Sequence, residues 1–393
     1  MAKPLEHNPN STQNTASTKQ YPDENAPQKG ASTKKKRFMP PDFSISLSKK
    51  GGTDSLFHNP PTQRQQNMQA FEEIYTDIIN YIVRITHKIW EEKDIGYIYE
   101  TYHHKEHVYD DFGLQYEPDK IVAETVHTIN AFPDCRLFAD EAIWAGDDKE
   151  GFHTSHRVII TGTNTGWGRF ALSPTFRKMR VICIANCICF ENELFEECVL
   201  YDHYDLLHQI GIDLWEMAKK WASDSLPPAL GDTCFGENER LPGQDKPTHL
   251  PLNTAHFDIE DFITYHLYYI WNWRMLFHVN KAYSPTIRFH GVNGSEDYGI
   301  GAVHFFILSI LALFPYAMMQ IDDIYWMGNE EEGYLVAVRW SLIGSHSGYG
   351  IYGMSTHKPI NMLGLSQYRI NDEKIIEEWT LFNEIGILMQ LER

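Results

Sequence analysis

Apolar residues recur at helical spacing over one early stretch: Phe71, Ile74, Tyr75, Ile78, Ile79, Ile82, Ile85 and Ile89. The spacing predicts a long amphipathic helix that begins near Gln66 and reaches Trp90. A second helix is predicted over Pro118–Ala131, with proline in its first turn as helices prefer. After Phe132-Pro133-Asp134 the period becomes two. Residues 157–163, 179–190 and 194–201 are rich in β-branched and aromatic side chains and read as strands. The same order then returns. Two helices carry Phe262, Tyr265, Tyr269, Ile270, Trp273 and Leu276, then Ile300, Val303, Phe306, Ile307, Ile310, Leu311 and Phe314. Strands follow at 335–344, 360–369 and 375–382, and Asn371-Asp372-Glu373-Lys374 reads as a polar hairpin turn.

The two halves also match residue by residue. Phe132-Pro133 answers Phe314-Pro315, and Trp144 answers Trp326. Arg157, Gly162, Gly166 and Gly168 answer Arg339, Gly344, Gly348 and Gly350, all at one offset of 182 residues (132 to 314). Glu196-Glu197 answers Glu377-Glu378 and Gln209 answers Gln390 at 181 (196 to 377), so one residue was gained or lost between. The repeat is domain-sized, far longer than a solenoid unit. Helices followed by antiparallel strands give an α+β plan in each copy. The glycines fall where the first strand breaks and are expected at bulges or a tight bend. Domains are expected at 66–212 and 257–393. Residues 1–65, rich in Asn, Ser, Thr, Gln, Lys and Pro, read as a disordered arm with a short basic run, Lys34 to Arg37. Residues 213–256, with several Pro and Gly, read as a linker.

Composition narrows the function. A chain of 393 residues with net charge −19 does not suit nucleic acid as a main partner, because phosphate contacts need clustered Lys and Arg. No apolar run is long enough to span a bilayer. Six cysteines do not make a disulfide scaffold in a chain this long, and reduced thiols suit a cytoplasmic protein. Cys183, Cys187 and Cys189 would share one strand face, and they lack the paired spacing of a zinc site. No metal or other cofactor is expected. His103-His104 with His107 has no matching carboxylate or thiol ligands, and Gly162, Gly166 and Gly168 lack the Lys-Ser/Thr ending of a phosphate loop.

Arg339-Trp-Ser-Leu-Ile-Gly-Ser-His-Ser-Gly348, then Lys374-Ile-Ile-Glu-Glu-Trp379, then Ile387-Leu-Met-Gln-Leu391 resemble the SnoaL-like polyketide cyclases, also called ester cyclases. The Phe-Pro dipeptide is a further shared feature, and both halves carry the pattern. The resemblance implies the NTF2-like cone in each copy: a curved, mostly antiparallel sheet wrapped around N-terminal helices, with an internal pocket. It implies cofactor-free acid–base chemistry, such as aldol ring closure, on a small oxygenated organic substrate. It also implies intramolecular pairing of the two domains and leaves room for a homodimer.

The family's acid/base Asp falls on Asp202 in the first copy and on Asn383 in the second. A desolvated carboxylate can remove and return a proton near neutral pH, whereas an amide cannot. Asp202 is therefore the expected acid/base and Arg157 the expected anchor for an oxyanion or carboxylate. The competing reading of Arg157 is an ion pair with Glu196 or Glu197. Tyr109, Trp144 and His107 are candidates for the first pocket, and Trp326, Arg339, His346 and Asn383 for the second. Asn164 and Cys198 stand in the first copy where the family has His and Trp, so neither half has a complete site. A non-catalytic binding or interaction protein is the alternative. An epoxide hydrolase is disfavoured, because Ile159 stands two after Arg157 where such enzymes carry Asp.

Overall fold

The computed structural model describes residues 52–58, 63–169, 173–223 and 256–393. Two helices, α1 (Gly52–His58) and α2 (Ile78–Trp90), open the chain, and a short helix α3 (Ile98–Thr101) follows. The strands β1 (Tyr102–Asp110) and β2 (Gly113–Tyr116) precede α4 (Pro118–Ala131). Four long strands come next: β3 (Arg136–Asp147), β4 (Gly151–Thr163), β5 (Lys178–Phe190) and β6 (Glu193–Tyr201). Helices α5 (His203–Ile210) and α6 (Leu214–Ser223) end the first half. The second half repeats the plan with α7 (Ile259–Trp271), α8 (Phe277–Ala282), β7 (Tyr283–His290), β8 (Glu296–Tyr298), α9 (Ile300–Leu313), β9 (Met318–Asn329), β10 (Gly333–Ser345), β11 (Pro359–Asn371), β12 (Lys374–Phe382) and α10 (Glu384–Glu392).

The sheet orders are β2-β1-β6-β5-β4-β3 and β8-β7-β12-β11-β10-β9, one order repeated. Only β1–β6 and β7–β12 pair in parallel. Register shifts recur at matching places: between Ala139 and Glu141 in the first copy and opposite Arg339 and Trp340 in the second, then at Ile188/Cys189 and at Arg369/Ile370. Repeated bulges bend a sheet, and here they curl it around the helices. These are two NTF2-like α+β domains. Among the described residues no helix is long and apolar enough to cross a membrane.

Gly166 and Gly348 are close approaches of backbone rather than bulges. A Cβ on Gly166 would lie 1.8 Å from the carbonyl oxygen of Asn130, and one on Gly348 would lie 1.6 Å from that of Ala312. The loop after β4 is thus pressed on the end of α4, and the loop after β10 on the end of α9. Phe132 and Phe314 cap those same helix ends and are fully buried. The predicted hairpin tip has positive φ at two residues, Asp372-Glu373, as does its counterpart in the first copy, Glu191-Asn192, the signature of a tight twisted turn.

The first helix is shorter than its apolar spacing predicts. It starts at Ile78, where Asp77 caps it by accepting from the Asn80 amide. Phe71 and Tyr75 are buried from irregular chain instead. Most of the expected arm and linker lies outside the described residues, including the basic run at 34–37. Within the arm's range, however, α1 packs on β3: the Thr53 hydroxyl bonds both the carbonyl and the amide of Ala139, and Leu56 is buried. Within the linker's range, α6 buries Leu214, Met217, Ala218 and Trp221. That three-to-four spacing is a helix signal inside a stretch assigned to linker on its Pro and Gly content.

Candidate active site

Strand alternation decides what each sheet shows to its helices. On β4, His156, Val158 and Ile160 face inward, and Ser155 and Arg157 face the other domain. The Arg157 guanidinium donates to Asp140 at 2.7 Å and to Gln367 of the second domain, and it lies 3.5 Å from the ring of Trp379. Gln367 in turn donates to the hydroxyl and carbonyl of Ser155. The second copy reciprocates: Arg339 bonds Glu196 and lies over Tyr109. Tyr109, Ile184, Cys198 and Leu200 pack with Leu363, Leu365, Trp379 and Leu381 between the domains. His107 contacts Glu196 on this face at 3.0 Å, and His153 meets Asp323 across it at 2.9 Å.

The face carrying Arg157, Arg339, Tyr109 and His107 is thus the domain interface, not a pocket. Asp202 is elsewhere too. It caps α5 by accepting from the Asp205 amide at 3.1 Å and also accepts from the Gly294 amide of the second domain at 2.8 Å. Burial raises its pKa, and these backbone bonds oppose the rise. Asn383 is its counterpart and accepts from the Leu363 amide. Trp144 is packed against Phe152. Trp326 donates to Glu260. His346 and Asn164 hold equivalent loops by backbone bonds, to Lys358 and to Arg177. None of these candidates lines the cavity described next.

A cavity of about 130 Å³ lies inside the first domain, and a smaller one of about 50 Å³ shares part of its wall. The common wall includes Ile89, Trp90, Tyr102, Ile160, Glu197, Val199 and Tyr201. Toward the helices, Asp110, Asp111, Gln115, Glu124, Arg169 and His203 join Phe112 and Phe132. His156, Cys183 and Cys187 line the smaller space. Three inward residues on β6 thus supply Glu197, Val199 and Tyr201 at period two.

Glu197 is the acid of this cavity. Burial pushes its pKa up to about 7, against the hydrogen bond from Tyr102 that pulls it down. The Tyr102 hydroxyl lies 3.2 Å from Oε2, and the Cys187 thiol lies 4.0 Å from Oε1. Glu197 nevertheless keeps some exposed surface, as a wall residue of an enterable space would. Glu106, fully buried, sits behind it. Burial and the Glu197 charge push its pKa up to about 10, so it stays protonated at neutral pH. Asp110 is raised by burial and then by Glu124, while the Phe112 and Gly113 amides and the Gln115 side chain bond it. Glu124 also pairs with Arg169 at 2.8 Å. Burial lowers His156 to about 4, so it is neutral at physiological pH.

The second domain has the same frame with the space filled. Trp340 stands where the first copy has Val158, and Gly364 where it has Cys183. A Cβ on Gly364 would lie 2.1 Å from the Trp340 indole, whose N–H donates to Ser366 at 2.9 Å. Phe306 replaces Glu124 and packs against Trp271, Phe289 and Phe382. Glu378 matches Glu197 and is likewise raised to about 7 by burial, against the hydroxyls of Thr380, Tyr283 and Tyr368, which pull it down; Thr380 bonds its Oε1 at 2.6 Å. On β7 and just after it, Ile287, Gly291 and Val292 replace Glu106, Asp110 and Asp111.

The fold gives two NTF2-like domains, the first with a mostly apolar cavity that carries several acids in its wall, the second with bulky side chains at the matching positions. Residues 264–391 match the family profile of the SnoaL-like polyketide cyclases, and the first half has the same strand order as the second. Among solved structures, it is similar to IdmH from Streptomyces antibioticus, at 24% identity and TM-score 0.30, covering 34% of this chain and 98% of that one. TsrD from Streptomyces laurentii is 15% identical, with TM-score 0.30 and coverage of 35% and 98%. A SnoaL-like polyketide cyclase from Agrobacterium tumefaciens is 11% identical, with TM-score 0.29 and coverage of 35% and 99%. No curated protein matches the chain.

Proposed function

We propose that the first domain is a cofactor-free acid–base enzyme acting on a small, mostly apolar organic molecule with a carbonyl group, and that the second domain is a filled copy. The observation that carries this is Glu197, a carboxyl raised to about 7 on the wall of an apolar cavity. An acid with that pKa is ionised in part at neutral pH and can both take and return a proton. Glu378 is the matching acid of the second copy; Val199 and Cys187 stand in the first copy where it has Thr380 and Tyr368, two of the three hydroxyls around that acid.

In this reading the Glu197 carboxylate removes a proton from the carbon next to the carbonyl. The C–H pair moves to form an enolate, and the carboxylic acid then returns the proton. Tyr102 holds the carboxyl in place. Tyr201 lines the same wall four positions further along β6, and burial keeps its phenol protonated. The cavity and the smaller space that shares its wall, about 130 and 50 Å³, together exceed an engineered void that takes one aromatic ring.

Acetophenone in deuterated buffer is the direct probe. The wild-type protein should speed deuterium entry into its methyl group, read by proton NMR. Glu197→Gln should lose that acceleration while keeping the fold. Exchange at the buffer rate in wild type, or an unchanged rate in Glu197→Gln, would overturn the assignment. Binding without exchange would favour a ligand-binding protein instead.

A further inference from the structure

The cavity has a second polar end that the proposed proton transfer does not use. His203 opens α5 and lines the cavity, and its Nδ1 lies 3.0 Å from Asp111 Oδ2. Both are buried, at 6% and 1% exposure. Asp111 also accepts from the Tyr201 amide at 3.1 Å. The second copy has Glu384 and Val292 at these positions, so the pair belongs to the hollow domain alone. Glu197 and Tyr201 are four steps apart on β6, about 13 Å of strand, and His203 lies beyond. The acid and the imidazole therefore sit toward opposite ends of one apolar space.

Both partners of this pair are braced by the second domain. The Gly294 amide bonds Asp202, the cap of the helix that His203 opens. On the other side, Gly386 of α10 comes so close that a Cβ there would lie 2.3 Å from the Asp111 carbonyl oxygen.

Resting on the acid–base reading above, we propose that the substrate is elongated and carries a second oxygen at its far end, bound by His203, and that the filled domain serves to position this histidine. Asp111 and Asp202 are positioning residues in this scheme. An imidazole held at one nitrogen by a carboxylate is fixed in orientation, which is what recognition of a single hydroxyl or carbonyl needs. A site built to hydrogen-bond a ligand hydroxyl discriminates strongly against the analogue that lacks it.

Two naphthyl ketones test this: 2-acetonaphthone, and its 6-hydroxy form with an oxygen at the far end. Affinities for the full chain are read by ligand fluorescence. The hydroxy ketone should bind at least tenfold tighter to wild type. His203→Leu should remove that preference while leaving the affinity for 2-acetonaphthone within about twofold, a pattern a merely structural histidine would not give. Gly386→Ala should reduce the preference while acetophenone exchange at Glu197 continues. Equal binding of the two ketones by wild type overturns the inference, as does a preference that survives His203→Leu or failure of both ketones to bind. Acetophenone exchange, which needs only the Glu197 end, reports separately on the acid–base reading.

Discussion

Trp340→Ala is expected to open in the second domain the space that the first domain already has. Trp340 is 3% exposed, rests face-on over Gly364 and donates its indole N–H to Ser366. Ser366 keeps a second partner, the Thr380 hydroxyl at 2.8 Å, so the lost hydrogen bond adds little. The cost is then the cavity term for removing a buried tryptophan, about 3–5 kcal/mol. For a domain of this size each kcal/mol moves the melting temperature by about 2–4 °C, giving a fall of about 6–20 °C. Scanning calorimetry reads it directly. Indole should then fill the void, and at tenfold excess over its Kd should restore about 1.4 kcal/mol. A loss below about 1 kcal/mol, with no stabilisation by indole, would refute the claim that one tryptophan makes the difference between the filled and hollow cones.

Two further outcomes follow from the interface and from the buried acid. Arg157→Lys keeps a charge but loses the planar stack on Trp379 and the fork to Asp140 and Gln367, so chemical denaturation should show about 2–4 kcal/mol of lost stability; wild-type stability in the lysine variant would contradict this. Glu197 has a folded pKa of about 7, above the ordinary carboxylate value of about 4.3, so its contribution to stability is complete below about 4.3 and is lost as pH rises to about 7. The stability of wild type relative to Glu197→Gln should therefore fall across that window, by about 3 kcal/mol at most; urea titrations showing a flat or rising difference would contradict it.

Much of the fold could be read from the chain because repetition doubled each signal. Pro118–Ala131 and the strands at β5, β6, β11 and β12 fall within a residue or two of their apolar patterns. The helix before Ile78 could not, since a capping aspartate overrides apolar spacing that continues upstream. The site was harder. Period two on β4 separates Arg157 from Val158, but no periodicity says which face meets helices and which meets another sheet. With two domains pairing through their sheets, both faces are buried, and Arg157 is spent on Gln367 and Trp379. The informative contrast between copies was legible all the same, at other positions: Val158 against Trp340, Glu124 against Phe306, and Glu106, Asp110 and Asp111 against Ile287, Gly291 and Val292. Glu197 escaped notice as an acid because it is identical in both copies, and its exposure to a cavity depends on neighbours from other strands.

The central claim is that the Glu197 carboxyl titrates near neutrality on the wall of a cavity that a small molecule can enter. Carbon-detected NMR of glutamate side chains, assigned by comparison with Glu197→Gln and titrated with and without acetophenone, measures this directly. The account predicts a pKa of about 7 for Glu197 and a change in its resonance when acetophenone is added. A carboxyl that titrates near the ordinary value of about 4.3, or one that does not respond to acetophenone, would contradict it.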